Sequence, residues 1–156
     1  MDKATLLSGI IAALEADMEV LRRAAQTAYE TATAEENIAE NKYDTLGLEA
    51  SYLATGQARR TAEIRQALLT YQQLLLRDYD PARGVQVSNL VTLEDEDGGQ
   101  RLLFLGPEAA GLKIGEGDGL VTVITPRSPL GQLLVGRKID DEVSLGAQVL
   151  FVIAVA

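Results

Sequence analysis

The stretch "DYDPARG", Asp78–Gly84, marks the point where the apolar pattern of this chain changes its period. Pro81 cannot continue a helix, and Gly84 suits a turn. All four prolines lie at or after residue 81. We therefore predict a helical part over residues 1–80 and a differently built domain over residues 84–156.

Before this boundary, apolar residues recur at steps of three and four, which is the period of an amphipathic helix with a narrow seam. Asp2 stands at a suitable N-cap position. A single helix of this length would leave its seam uncovered, so we predict two long helices in an antiparallel hairpin, a coiled coil, with a break between residues 36 and 47. The seam residues are Leu7, Ile10, Leu14, Met18, Leu21, Ala25, Ala28 and Ala32, then Leu48, Tyr52, Ile64, Leu68, Tyr71 and Leu75.

The predicted tip of this hairpin, near residues 36–49, is acidic. On a continuous helix, acids at four-residue steps would form one column and repel each other, whereas at a tip water and salt screen them. The tip is then either a simple solvated turn or a set of acids presented to a partner, able to hold Mg²⁺ weakly. Its carboxylates are Glu36, Glu40, Asp44 and Glu49, with Lys42 as the single cation.

After the boundary, apolar and polar residues alternate, as in strands. The stretch "VQVSNLVTL" begins this pattern at Val85, and Asp97-Gly98 suits a hairpin turn before "RLLFLG". Further strands are predicted in "GLVTVIT", "EVSL" and "QVLFVIAVA". The stretch "SPLGQLLVG" predicts a short helix, with Ser128 as N-cap, Pro129 first and Gly136 just past the end. The fold class is therefore α+β, a helical hairpin followed by a small α+β domain.

Composition excludes several classes of function. The net charge is −9 over 156 residues, which argues against free binding to DNA, RNA or anionic lipid. The chain has no Cys and no His, so thiol nucleophiles, Cys/His zinc sites and a histidine base are excluded. No signal segment and no apolar run of bilayer length is seen. We expect a cytoplasmic protein, and any chemistry it performs must use carboxylates, Lys, Tyr or a borrowed metal.

Two stretches carry a resemblance to a known family. The longer is "VITPRSPLGQLLVGRKIDDEVSL", Val123–Leu145, and the shorter is "LGPEAAGL", Leu105–Leu112. They resemble the Gre family of bacterial transcript-cleavage factors and Gre-like inhibitors of RNA polymerase. The resemblance covers nearly the whole chain, and these stretches are its most specific part. The stretch "YDTLGLEA", Tyr43–Ala50, is similar to the tip of the Gre-like inhibitors. The resemblance implies an FKBP-like C-terminal domain.

The resemblance also implies a function. Gre factors insert the helical hairpin into the secondary channel of bacterial RNA polymerase, where tip carboxylates help to hold a second Mg²⁺ for hydrolysis of backtracked RNA. The inhibitors use the same arm to block the site or trap its metal. Carried onto this sequence, Asp44 and Glu49, supported by Glu40, would assist a magnesium shared with polymerase. The resemblance therefore implies a protein that is not an enzyme by itself and binds no cofactor alone. Docking is implied for Arg127, Ser128, Pro129 and Leu130, and contact with the RNA 3′ end, only within that complex, for Arg59 and Arg60.

The chain departs from the cleavage factors at its tip and its docking loop. Asp44 and Glu49 are five residues apart, whereas the family spaces its two carboxylates by three. Arg127 stands where the family usually has Asp. The arginines near the tip are few and also fit a solvated helix face. These departures favour regulation without efficient cleavage. The alternative function is a coiled-coil interaction or scaffold module without polymerase activity, and the oligomeric state is left open.

Overall fold

The computed structural model describes residues 2–33 and 45–156, with the backbone alone for residues 32–33 and 45–54. Two N-terminal helices precede a six-stranded mixed sheet with one short helix, which confirms the predicted α+β class. The chain divides into a sheet unit, Met1–Ile11 with Thr70–Ala156, and a helical unit, Ala12–Leu69. The domain bounds 1–80 and 84–156 stay a prediction. None of the described helices is long and apolar enough to cross a bilayer.

The first helix, α1, spans Lys3–Thr33 and the second, α2, spans Thr45–Gln72. Asp2 caps α1 as predicted, because its carboxylate accepts a hydrogen bond of 2.7 Å from the N–H of Thr5. That bond lowers the pKa of Asp2. The predicted break falls largely outside the described residues, and Gly47 lies within α2.

The described side chains of the apolar seam in the helical unit are buried or half-buried at the predicted spacing. Leu75, which the spacing also predicts in the seam, lies past the end of α2 and is 77% exposed. Leu14 of α1 and Ile64 and Leu68 of α2 are each less than one-tenth exposed. These residues follow the three- and four-residue steps that place side chains on one helix face. Burial of this stripe stabilises helices that intrinsic propensity alone would not hold.

The sheet has six strands, and a short helix, α3, lies in the chain between the fourth and fifth. The strands are β1 Leu90–Asp95, β2 Gln100–Leu105, β3 Lys113–Ile114, β4 Val121–Ile124, β5 Glu142–Leu145 and β6 Gln148–Val155, and α3 spans Pro129–Leu134. Their order in the sheet is β3-β4-β2-β1-β6-β5, so the strongly apolar strand β6 lies inside the sheet. Strands β2 and β4 are parallel, and the remaining neighbours are antiparallel.

The predicted hairpin turn joins β1 to β2. Gly98 adopts a positive φ of 84°, which favours glycine. The carboxylate of Asp95 accepts hydrogen bonds from the N–H groups of Asp97 and Gly99, at 2.9 and 2.8 Å. The acidic stretch from Glu94 to Gln100 is therefore a charged turn, as predicted.

The first strand begins later than the alternation suggests. The alternation predicts a strand from Val85 onward, but β1 starts at Leu90. Ser88 has a φ of 80°, and its hydroxyl accepts a hydrogen bond of 2.7 Å from the N–H of Arg77. The ammonium of Lys3 donates to the carbonyl oxygens of Arg77 and Ser88, and burial lowers the pKa of Lys3. These contacts between distant residues interrupt the strand, while Val85 stays fully buried.

Both faces of the sheet bury apolar side chains. On one face, Leu103, Leu105 and Ile124 belong to a core cluster that includes Leu134 of α3. Phe104 points to the opposite face by alternation and is also fully buried. The sheet therefore has apolar layers on both sides.

Helix residues approach the second face closely. A Cβ added to Gly9 of α1 would lie 3.0 Å from a methyl carbon of Ile114. A Cβ added to Gly106 would lie 2.0 Å from the phenol oxygen of Tyr71 and 3.1 Å from a methyl carbon of Val123. Only glycine at residue 106 leaves room for the Tyr71 ring against the end of β2.

Substitution of Gly106 by Ala should destabilise the protein by about 1–3 kcal/mol, because the added methyl group overlaps the Tyr71 hydroxyl. In a Tyr71→Phe background the same substitution should cost less, since the nearest remaining ring carbon is 3.1 Å away. Urea unfolding of the four proteins of this cycle measures the coupling. If Gly106→Ala lowers the free energy of unfolding equally in the wild type and in Tyr71→Phe, the close contact between Gly106 and the Tyr71 hydroxyl is contradicted.

The buried phenol of Tyr71 should make stability fall at alkaline pH. Burial raises the pKa of Tyr71 above its ordinary value of 10.0, so above pH 10 the unfolded chain releases a proton that the folded chain keeps. The advantage of the wild type over Tyr71→Phe should therefore shrink by about 1.4 kcal/mol between pH 8.5 and pH 11. Urea unfolding of both proteins at the two pH values tests this, and a constant difference would show that the phenol ionises freely in the folded state.

Candidate functional site

The side chains of the predicted acidic tip lie outside the described part of the structure. Glu40 and Asp44 lie outside the described residues. Glu49 lies in α2, where only the backbone is described. The tip carboxylates and their magnesium therefore stay a prediction. Among the described side chains, no group of three or more acidic residues could hold a metal ion.

The two arginines predicted to contact RNA lie on α2 and are exposed. Arg60 contacts Glu63, one helical turn later, with 3.5 Å between the guanidinium and the carboxylate oxygen. Both side chains are more than half exposed, so this pair contributes little to stability. The geometry suits a solvated helix face as well as an RNA contact, and the RNA contact stays a prediction.

The predicted docking loop is built around the hydroxyl group of Ser128. This oxygen donates to the carbonyl oxygen of Thr125 at 2.7 Å and accepts from the N–H of Gly131 at 3.2 Å. Ser128 is thus the N-cap of α3, with Pro129 in the first turn and Gly136, at a φ of 81°, just past the end. This local prediction is confirmed.

Close packing explains why a glycine stands within this short helix. A Cβ added to Gly131 would lie 1.7 Å from the carbonyl oxygen of Thr125, at the end of β4. Leu134 is fully buried and Leu130 is half-buried against the same core. The helix is therefore seated directly on the sheet, and the turn before it has a fixed position.

Arg127 is exposed beside this turn and forms an ion pair with Glu108, with 3.1 Å between a guanidinium nitrogen and Oε2. The side chain of Arg127 is 74% exposed and that of Glu108 is 35% exposed. Tyr71 in turn donates a hydrogen bond of 2.7 Å to the carbonyl oxygen of Glu108. The structure thus brings together Arg127, Ser128, Pro129 and Leu130, and adds Glu108 and Tyr71.

Sequence reasoning did not select Glu108 or Tyr71 as site residues. Glu108 lies in the Gly-Pro-Glu stretch that carries part of the family resemblance, which is the signal that could have pointed to it. The helical spacing of Tyr71 predicts only a packing role for it. Its hydrogen bond spans 37 residues of sequence, and no local pattern predicts such a contact.

A cavity of about 710 Å³ lies in the sheet unit next to α3. Its lining mixes apolar side chains of the sheet with a few charged groups, and Leu130 contributes one wall. The hydrophobic and polar parts suit a protein surface as well as a small ligand. The lining comprises Gly98, Gln100, Arg101, Leu102, Leu103, Lys113, Gly117, Asp118, Leu120, Thr122, Ile124 and Leu130.

The helical unit has a groove of about 650 Å³ between α1 and α2. One edge carries Glu19, which contacts Arg22 and Arg23 at 2.8 and 3.1 Å. The hydrogen bond from Arg22 lowers the pKa of Glu19 to about 2. The lining includes the small side chains of Ala25, Ala58 and Ala62, as expected where two helices approach closely. The groove is lined by Glu15, Met18, Glu19, Arg22, Ala25, Gln26, Ala58, Thr61, Ala62 and Arg65.

Comparison with known proteins gives similarity at the level of solved structures. No protein-family model and no curated protein matches the chain. The chain is similar to the crystal structure of GreA factor homolog 1 (Gfh1) of Thermus thermophilus, at 19% identity, with 94% of each chain covered and a TM-score of 0.38. It is also similar to the crystal structure of Thermus aquaticus Gfh1, at 17% identity, with 94% of this chain and 93% of that chain covered and a TM-score of 0.36.

Removal of the Ser128 hydroxyl should loosen the turn before α3. Ser128→Ala loses the cap of α3, which should lower the free energy of unfolding by about 1 kcal/mol. Ser128→Thr, which keeps a hydroxyl group, should retain most of the stability. Urea unfolding of both variants measures this, and a Ser128→Ala protein as stable as the wild type would show that the cap contributes nothing.

Proposed function

We propose that this chain is a transcription factor that binds bacterial RNA polymerase through its secondary channel and modulates elongation or transcript cleavage. The observation that carries the proposal is the folding of Val123–Leu145, the stretch that resembles the Gre family. It forms the end of β4, the capped helix α3 and β5 in one continuous run. Its turn exposes Arg127 and Pro129 to solvent, where a partner protein can reach them.

In this proposal the docking contact comes from the outer part of the turn. Arg127 and Pro129 are exposed, and half-buried Leu130 adds an apolar edge. Ser128 acts differently, because its hydroxyl is engaged inside the turn with Thr125 and Gly131. Ser128 therefore positions the surface, and its neighbours make the contact. The neighbouring cavity extends this surface over the sheet.

The proposed role of the tip is to lend carboxylates to a magnesium ion that polymerase holds. Asp44 and Glu49, supported by Glu40, supply too few oxygen ligands to bind Mg²⁺ tightly, so the partner completes the coordination. These carboxylates would help to hold one of the two ions that together would activate the attacking water and stabilise the leaving oxygen in a two-metal hydrolysis. The five-residue spacing of Asp44 and Glu49 supports a regulator that crowds or misplaces the metal rather than an efficient cleavage factor.

The remaining parts of the proposal follow from this role. The factor has no active site of its own and needs no cofactor except magnesium shared with polymerase. It reaches the RNA 3′ end only inside that complex, with Arg59 and Arg60 as the candidate contacts. Its net charge of −9 opposes free DNA binding, and its partner places it in the cytoplasm.

A binding assay with bacterial core RNA polymerase, followed by RNA cleavage and extension in stalled complexes, tests the proposal. The tip variant is Asp44→Ala/Glu49→Ala. Its matched control is Asp17→Ala/Glu96→Ala, which removes the same charge from two exposed sites elsewhere. We expect wild type and control to bind and to change the rate of elongation, and the tip variant to bind without this effect.

The outcomes separate three functions. Binding with tip-dependent cleavage would identify a cleavage factor, and binding with slowed synthesis and no cleavage would identify an inhibitor. Absence of binding by the wild-type chain would overturn the proposal and leave the scaffold module. A tip variant that acts like the wild type would overturn the role of the carboxylates alone.

A further inference from the structure

The ion pair between Arg127 and Glu108 differs from the other ion pairs of the described residues. Those pairs join residues three or four apart in sequence. Arg127 and Glu108 are 19 residues apart, and their contact connects the loop after β2 to the turn before α3. A pair of this kind fixes the position of one side chain relative to another element of the fold.

Glu108 projects from a backbone that is held firmly. Its carbonyl oxygen accepts the hydrogen bond from Tyr71, which is fully buried. The preceding Gly106 packs against the same ring, and its N–H donates to the carbonyl oxygen of Ile124 at 2.8 Å. The carboxylate therefore extends from a fixed point on the surface of the sheet unit.

Arg127 is likewise held through its backbone. The side-chain amide of Gln132 donates to its carbonyl oxygen at 3.2 Å, and Ser128 next to it caps the helix. One nitrogen of the guanidinium group bonds to Glu108, and three-quarters of the side chain faces solvent. A guanidinium group carries five N–H donors in a planar fork, so donors remain for a partner.

We propose that Arg127, positioned by Glu108, selects a partner protein surface that presents a carboxylate beside an apolar residue. This inference rests on the proposed function, since it concerns the same docking surface. The planar fork recognises a carboxylate with two parallel hydrogen bonds, which a lysine cannot reproduce. The exposed Pro129 and half-buried Leu130 supply the apolar neighbour.

The charges around Arg127 favour a protein carboxylate over a nucleic acid phosphate. Glu108 compensates the positive charge locally, and the chain as a whole is at −9. Binding to a polyanion needs several clustered cations, which this turn lacks. A single oriented guanidinium group instead suits one carboxylate at a defined position. Glu108 is a positioning residue, since it acts through Arg127.

The decisive variant exchanges the two charges. Glu108→Arg/Arg127→Glu keeps an ion pair across the turn but presents a carboxylate where the guanidinium group was. We expect its unfolding midpoint in urea to match the wild type and its affinity for core RNA polymerase to fall by roughly 10- to 100-fold, because like charges then face each other. A pair with a merely structural role would tolerate the exchange.

Single variants separate recognition from positioning. Arg127→Lys keeps the charge and loses the fork, and should weaken affinity by about 10-fold. Glu108→Gln should weaken it by a smaller factor, and adding it to Arg127→Lys should cause little further loss, because the two residues act together. The matched control is Arg83→Glu, a charge reversal at another exposed arginine paired with an aspartate, which should leave affinity unchanged within about twofold.

The failures of the two proposals are distinguishable. If wild-type chain does not bind polymerase, the proposed function fails. If wild-type chain binds and the charge-exchanged variant binds equally well, polymerase binding stands and the role of Arg127 is overturned. Tighter binding by the exchanged variant would show that the partner surface is basic, and would also overturn it.

Discussion

The contact on which the sheet unit depends is the close approach of the Tyr71 ring to Gly106. It joins the last turn of α2 to the end of β2, at a point where a single methyl group would not fit. The buried phenol then donates to the carbonyl oxygen of Glu108, which satisfies a polar atom that would otherwise be costly to bury. A helix end, a strand end and the following loop are therefore fixed by one side chain.

The sequence-based prediction of the fold succeeds where the signal is local. Asp2, Asp97-Gly98 and Ser128 each act through hydrogen bonds to residues two to four positions away, and the structure confirms all three. The apolar period separates helices from strands for the same reason, because it reflects which face of an element is buried. The local pattern fails to predict the structure of the segment just before β1.

That segment alternates like a strand from Val85, yet pairs as a strand only from Leu90. The competing contacts come from Lys3 and Arg77, which are distant in sequence and bond to the backbone or hydroxyl of Ser88. A pattern read along the chain contains no information about such partners. Here tertiary hydrogen bonds override local alternation.

In the candidate site, too, features set by local sequence are predicted, whereas contacts between distant residues are not. The cap at Ser128 and the position of Pro129 follow from spacing, and the family resemblance marks Arg127 as unusual. The carboxylate that Arg127 contacts could not be found in this way, because the two residues meet only once β2, β4 and α3 have assembled. The tip residues Glu40, Asp44 and Glu49 stay predictions based on the sequence alone.

Stability gives little reason to keep an ion pair at the turn before α3. An exposed pair contributes between zero and about 1 kcal/mol, since water and salt screen it and both side chains lose freedom. Arg127 is mostly exposed, so its pair with Glu108 belongs to this weak class. Orientation is a different matter, because recognition by a planar guanidinium group depends on where its donors point. In a chain of net charge −9, long-range attraction cannot guide this face toward an acidic surface. In the role proposed for Arg127, a single cation held in a fixed orientation would supply specificity at short range instead.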